Sequence, residues 1–257
     1  MTSKRHARLL LGASLASGAA AWATAVTAHD FFLLPSAFVA EAGETITLSA
    51  TVSAAFPKLE TPVARDRMAT ATAAGAAGVG PLQAGADGKL RLQARSPGVA
   101  VGATSAVARE VEYPEDRIDL ILGEYDIEGA AAAAAKALPR PRILKVVSQR
   151  FAKTLVCVAG CPDRAAASVP VGHALEFVAA DPAWRRFTLL SDGKPVADHP
   201  VAVGHAGGRE HLRTDREGRV SLPALAGPVM LFAAEMSAPL APGGRFELRL
   251  ATLTLSR

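Results

Sequence analysis

His29 and Asp30 are the residues with the clearest chemical potential in this sequence. They follow a segment, residues 1–28, that reads as a secretory signal peptide. Lys4, Arg5 and Arg8 give it a positive beginning, and residues 9–25 form an apolar middle. Val26-Thr27-Ala28 fits the small-residue cleavage pattern. Cleavage after Ala28 makes His29 the first residue of the exported chain. Its primary amine and its imidazole Nδ1 then form a chelate for one transition metal, because such nitrogen donors suit copper, nickel and zinc. The alternative is that His29 merely flanks a cleavage site at a frayed end.

Further donors are expected from Asp30, His205, His211 and Glu235, brought to His29 from across a domain junction. His205 and His211 flank a Gly207-Gly208 hairpin turn. If they are opposed across the hairpin, their imidazoles share a metal. A slip of one residue sends them to opposite faces. The plainer alternative is two exposed hairpin histidines. His173 and His199 stand beside turns and are expected to face solvent. Cys157 and Cys161 are separated by Val158-Ala159-Gly160, and in an oxidising compartment a disulfide is the favoured reading. A Cys–Cys metal site is the alternative, although no second Cys pair or His-x3-His follows to build a zinc module.

Signatures of catalysis are missing. The sequence holds no Gly-x-Ser-x-Gly, no His-Glu-x-x-His, no phosphate-cradling loop and no dinucleotide fingerprint. A first-position histidine also suggests an oxidative copper enzyme acting on polysaccharide. That reading needs an aromatic binding surface, and cleavage leaves Trp184 and two Tyr. The expectation is therefore a protein that is not an enzyme.

Composition sets outer bounds. The chain has 257 residues, 50% hydrophobic and 20% charged, too apolar for a disordered chain. Its net charge of +4 owes most to the leader. Removing Lys4, Arg5 and Arg8 from the 28 Lys and Arg leaves 25 against 24 Asp and Glu. No nucleic-acid footprint remains. No stretch beyond the leader is apolar enough for a bilayer span, so the cleaved chain is expected to be periplasmic and not membrane-spanning.

These residues need elements to position them. Phe31-Phe32-Leu33-Leu34-Pro35 reads as a buried first strand that ties down the terminus. Thr45 to Val52 alternates strictly, with Ile46, Leu48, Ala50 and Val52 on one face. Asp87-Gly88 starts a hairpin signal before Leu90, Leu92 and Ala94, and Ser96-Pro97-Gly98 turns into Val99, Val101 and Ala103. Residues 29–113 thus predict an N-terminal β-sandwich, with the Ala/Gly-rich stretch 69–80 a loop or poor strand. Residues 114–150 predict a helical connector and linker. Ile118, Ile121, Leu122 and Tyr125 fall at helical spacing behind Pro114, residues 130–138 favour helix, and Pro139-Arg140-Pro141-Arg142 reads as extended. Short strands with Gly turns return over 151–257 and predict a C-terminal β-sandwich. The fold class expected is mainly β, with two Ig-like sandwiches joined by a short helical segment.

The order of segments resembles an exported bacterial family labelled the nickel-uptake substrate-specific region. The residues that carry this are His29-Asp30-Phe31-Phe32, Leu34-Pro35, Glu41-Ala42-Gly43-Glu44, Phe151-Ala152-Lys153-Thr154-Leu155, Asp181-Pro182, Gly193-Lys194-Pro195-Val196 and Thr214-Asp215. The second half also looks like the β-sandwich modules found beside carboxypeptidases and in surface adhesins. The resemblance implies periplasmic handling of a divalent metal, nickel or cobalt, as an accessory to uptake. A metal transporter or outer-membrane receptor is the implied partner. Members commonly carry a His-Met pair near the end of the chain. Here Glu235-Met236 stands instead, a harder donor that shifts metal preference. The alternative function is a metal-free module that binds a carbohydrate, a peptide or an outer-membrane partner.

Overall fold

One strand of 16 residues, Ile143–Val158, organises the chain in the computed structural model, which describes residues 29–75, 78–85, 89–241 and 243–256. The expected leader, residues 1–28, and the Asp87-Gly88 turn lie outside the described residues. The protein is mainly β, with two α-helices among the described residues, Glu115–Glu124 and Gly129–Lys136. No described helix is long and apolar enough to cross a membrane.

Strand Ile143–Val158 is the spine of a ten-stranded sheet. On one side it pairs antiparallel with Arg109–Pro114 and then with Gly98–Ala106. On the other it runs parallel to Phe246–Ser256. Pro228–Ser237, Pro200–His205 and Gly208–Arg213 follow outward in antiparallel order. One sheet therefore draws strands from both expected sandwiches. The expected boundary between residues 150 and 151 falls inside a continuous strand, and residues 143–150 of the expected linker are strand. Successive side chains of a strand alternate between faces, and here both faces are covered. Leu144, Val146, Ala152, Val156 and Val158 point to one side, Leu155 to the other.

Two outer layers complete the molecule. A sheet built on Asp30–Pro35, Thr45–Ser53 and Leu90–Gln93 packs Phe31, Leu33, Leu48 and Leu90 against Ala152, Val156 and Val158. The helices lie on the same face, where Ile118, Ile121 and Leu122 meet Leu144, Val146 and Phe232. On the opposite face, strands Leu175–Ala179 and Arg186–Ser191 pack Phe177, Phe187 and Leu189 against Leu155, Leu231 and Leu253. Two sandwich packings are present, and they share the middle sheet. The outer sheet comes close enough that a Cβ at Gly102 would collide with the side chain of Leu48. The Ala/Gly-rich stretch, expected as a loop or poor strand, forms Met68–Gly75 and Gly78–Pro81 at the sheet edge.

The first strand is held on two sides. It pairs with Thr45–Ser53, Asp30 opposite Ser53. From below, the Thr252 and Thr254 hydroxyls donate to the carbonyls of Phe31 and Leu33, at 2.8 and 2.6 Å.

A buried ion pair lies between the middle sheet and the Leu175–Ala179 sheet. Lys153 Nζ donates to Glu176 Oε2 at 2.7 Å and to the Phe177 carbonyl at 2.9 Å, and both side chains are 2% exposed. The Val171 and Gly172 amides donate to the same carboxylate at 3.1 and 3.0 Å. Burial pushes the Lys153 amine down from its ordinary value, against the pull of Glu176.

Cys157 and Cys161 are joined, their Cα atoms 5.1 Å apart. Closing so short a loop removes little unfolded-chain entropy, about 2 kcal/mol on the chain-entropy scale. The double variant Cys157→Ser/Cys161→Ser is expected to fold and to lose no more than about 2 kcal/mol in urea denaturation. A larger loss would show that the bridge does more than close its own turn.

Candidate ligand-binding site

Two cavities flank the start of the first strand, because the pleat sends consecutive side chains to opposite sides. Asp30 borders one, of about 480 Å³. His29 borders the other, of about 460 Å³. Their side chains therefore do not converge on one point.

Asp30 is 5% exposed. Its Oδ2 accepts a hydrogen bond from Arg209 Nη1 at 2.8 Å, and its Oδ1 has no partner among the described residues. Burial raises its pKa to about 6, with the nearby Arg209 and Arg150 charges pulling the other way. The Arg209 guanidinium lies over the Phe232 ring, 4.6 Å from its centre, which fixes the fork that grips Asp30. Glu124, His205 and His211 also border this cavity.

The hairpin register decides what the two histidines can share. Ala202 stands opposite His211, Gly204 opposite Arg209 and His205 opposite Gly208. By alternation His211 and Arg209 take the face of Phe232, and His205 takes the other. Accordingly His211 Nδ1 sits 2.9 Å from Asp126 Oδ2, while His205 Nε2 sits 3.6 Å from Glu210 Oε1. The Gly207 amide donates to His205 Nδ1 at 3.1 Å. A metal shared across the hairpin is thus not what this register provides. Glu235 is also elsewhere. It belongs to the face of Leu231 and Ala233, accepts from the Ser191 hydroxyl at 2.7 Å, and lies 3.7 Å from Arg249. No group of three or more His, Cys, Asp or Glu placed to hold a metal occurs among the described residues. The expected set of His29, Asp30, His205, His211 and Glu235 is therefore not assembled in this arrangement.

His173 and His199, expected to face solvent, are partly buried. His173 packs on the Phe151 ring, centres 5.1 Å apart, and burial takes its pKa down to about 4. His199 Nε2 lies 3.1 Å from the Ala234 carbonyl, and burial lowers its pKa as well.

The cavity beside His29 has a different character. Arg67, Arg109 and Arg150 border it together with Ser148, and no Asp or Glu does. Arg109 stands opposite Ser148 on adjacent strands. Arg150 is two residues beyond Ser148, on the same face, and its Nη1 donates to the His29 carbonyl at 3.2 Å. Ser148 is 6% exposed, yet its hydroxyl has no partner among the described residues. The sequence held a signal for this site. Along the spine, Leu144 and Val146 feed the helix core and Ala152 and Val156 the sheet core, whereas Ser148 and Arg150 between them are polar. That polar interruption marks the gap between the two cores.

A mainly β protein of three layers, with two cavities at the head of its first described strand, is the class this geometry defines. The chain belongs to a family described as Domain of unknown function (DUF4198), whose model matches residues 26–238. Among solved structures it is similar to the D0-D1 domain of intimin, at 15% identity, with 89% of this chain and 98% of that chain covered and a TM-score of 0.19. It is also similar to the fibronectin(III)-like modules of Clostridium thermocellum CbhA, at 12% identity, 91% and 92% coverage and a TM-score of 0.20. No curated protein matches the chain.

Proposed function

We propose that this is an exported, non-enzymatic binding protein that captures a divalent transition metal, nickel, cobalt or copper, through His29 at its processed N-terminus. In this reading it serves metal uptake in the periplasm, beside a transporter or an outer-membrane receptor. The observation that supports it is the anchoring of the residue next to His29. Asp30 is buried, paired in a strand and gripped by Arg209, while His29 itself is exposed. Arg150 also holds the His29 carbonyl. A terminal amine and imidazole on such an anchored residue lose less entropy on chelation than they would on a frayed end.

The test compares two forms by calorimetric titration with Ni(II) and Cu(II), one beginning at His29 and one with a single Ala before it. The extended form keeps the imidazole but moves the primary amine off the chelate ring, so its affinity is expected to fall at least tenfold. Equal affinities remove His29 from the site. Absence of metal binding in both forms leaves the metal-free binding module as the reading.

A further inference from the structure

We infer that the cavity beside His29 is a binding site for a small organic anion carrying two carboxylates, held by Arg67, Arg109 and Arg150. This stands apart from the metal reading and does not need it. Four observations converge. The cavity, about 460 Å³, has the size of small-molecule sites. Three arginines border it, and no Asp or Glu among the described residues does. Neither Arg67 nor Arg109 forms an ion pair among the described residues, although at least ten other Arg and Lys do. Ser148 presents a buried hydroxyl with no partner at the same place.

Like charges around one cavity repel, and an anion in their midst turns that repulsion into attraction. A guanidinium fork matches a carboxylate with two parallel hydrogen bonds. Arg109 and Arg150 come from neighbouring strands of the middle sheet, and Arg67 from the short 3-10 turn Arg65–Arg67. Cations on separate elements suit a ligand with charges at separated points. Apart from His29 and Thr61 the rest of the lining is apolar, including Phe31, Val52, Val63 and Val111. Hydrocarbon between the charges has surface to meet there, which a bare phosphate lacks. Ser148 supplies a further donor, and its hydroxyl, which has no partner among the described residues, gains one when an acceptor enters.

The test uses the chain beginning at His29, stripped of metal on a chelating resin, and titrates it calorimetrically with adipate and with inorganic phosphate. Adipate is expected to bind, more weakly as salt is raised. Arg109→Gln and Arg67→Gln are each expected to weaken it about tenfold or more, the effect of losing a hydrogen bond to a charged group. Ser148→Ala is expected to weaken it severalfold while keeping the melting temperature, because its hydroxyl bonds to none of the described residues. Absence of adipate binding overturns the inference, and so does undiminished binding by the Arg67→Gln/Arg109→Gln double variant. Phosphate binding as tight as adipate overturns the organic class. Repeating the titration with the Ala-extended form separates the two proposals. Adipate binding that persists there shows that this site does not need the His29 amine, whereas the His29 chelate falls only if both forms bind Ni(II) and Cu(II) equally or not at all.

Discussion

Lys153→Met is expected to destabilise the protein by about 3–5 kcal/mol, the cost of leaving a buried charge without its partner. Lys153 and Glu176 are each 2% exposed and 2.7 Å apart, so neither can turn to water. With the ammonium gone, Glu176 keeps only the Val171 and Gly172 amides as donors, which solvate the carboxylate but do not neutralise it. The Phe177 carbonyl also loses a donor. A domain of this size has roughly 5–15 kcal/mol in all, so the single change takes a large share. The double variant Lys153→Met/Glu176→Gln is expected to recover at least about 2 kcal/mol of this, because the glutamine oxygen still accepts from the backbone and no charge remains. Guanidinium denaturation at pH 7 reads both. A single variant within about 1 kcal/mol of the parent would show that the pair is solvated.

That pair also shows why part of the fold was legible in the sequence and part was not. Thr45–Ser53 buries one face toward the core, and its alternation can be read directly. Ile143–Val158 is covered on both faces, so over residues 151–158 it shows no such contrast, and Pro139-Arg140-Pro141-Arg142 before it reads as a linker. A boundary was expected where the spine of the largest sheet runs. The helix Glu115–Glu124 was visible because Ile118, Ile121 and Leu122 share one face. The Ala/Gly-rich strands were not, since their pairing comes from the neighbouring Gly98–Ala106 and not from their own side chains.

The site was legible only in pieces. His29 and Asp30 stand out by type, but the pleat that divides them between two cavities follows from the strand that carries them. His205 and His211 are close in sequence, and one residue of register settles which face each takes. Arg67, Arg109 and Arg150 are far apart in the chain. Pairing within the middle sheet makes them neighbours, with Arg109 opposite Ser148 and the Val107 amide donating to the Arg67 carbonyl at 2.8 Å, so no spacing in the sequence announces them.

The dependence of stability on pH follows from two groups that oppose each other. Asp30 has its pKa raised to about 6 from 3.8, so the folded state holds a proton that the unfolded chain has released across that window. Its contribution is fully present below pH 3.8 and is lost as pH rises through 6, by about 3 kcal/mol at roughly 1.4 kcal/mol per pKa unit. His173 has its pKa lowered from 6.5 to about 4, so here the unfolded chain binds the extra proton. Its contribution is present above 6.5 and is lost as pH falls through 4. The two shifts are of similar size, so the amounts are comparable. Between pH 4 and 6 the two trends run in opposite directions, and these two groups together contribute a shallow slope. His173→Phe removes one of them while keeping an aromatic ring against Phe151. Relative to the parent, that variant is expected to gain stability steadily as pH drops from 6.5 to 4. Asp30→Asn is expected to do the reverse, gaining on the parent as pH rises from 4 to 6, on top of a constant loss from weakening the grip of Arg209. Urea denaturation of the three proteins at pH 4, 5, 6 and 7 measures both slopes. If the His173→Phe curve runs parallel to the parent, the imidazole is free to take up its proton in the folded state. The stacked, desolvated placement against Phe151 would then be wrong.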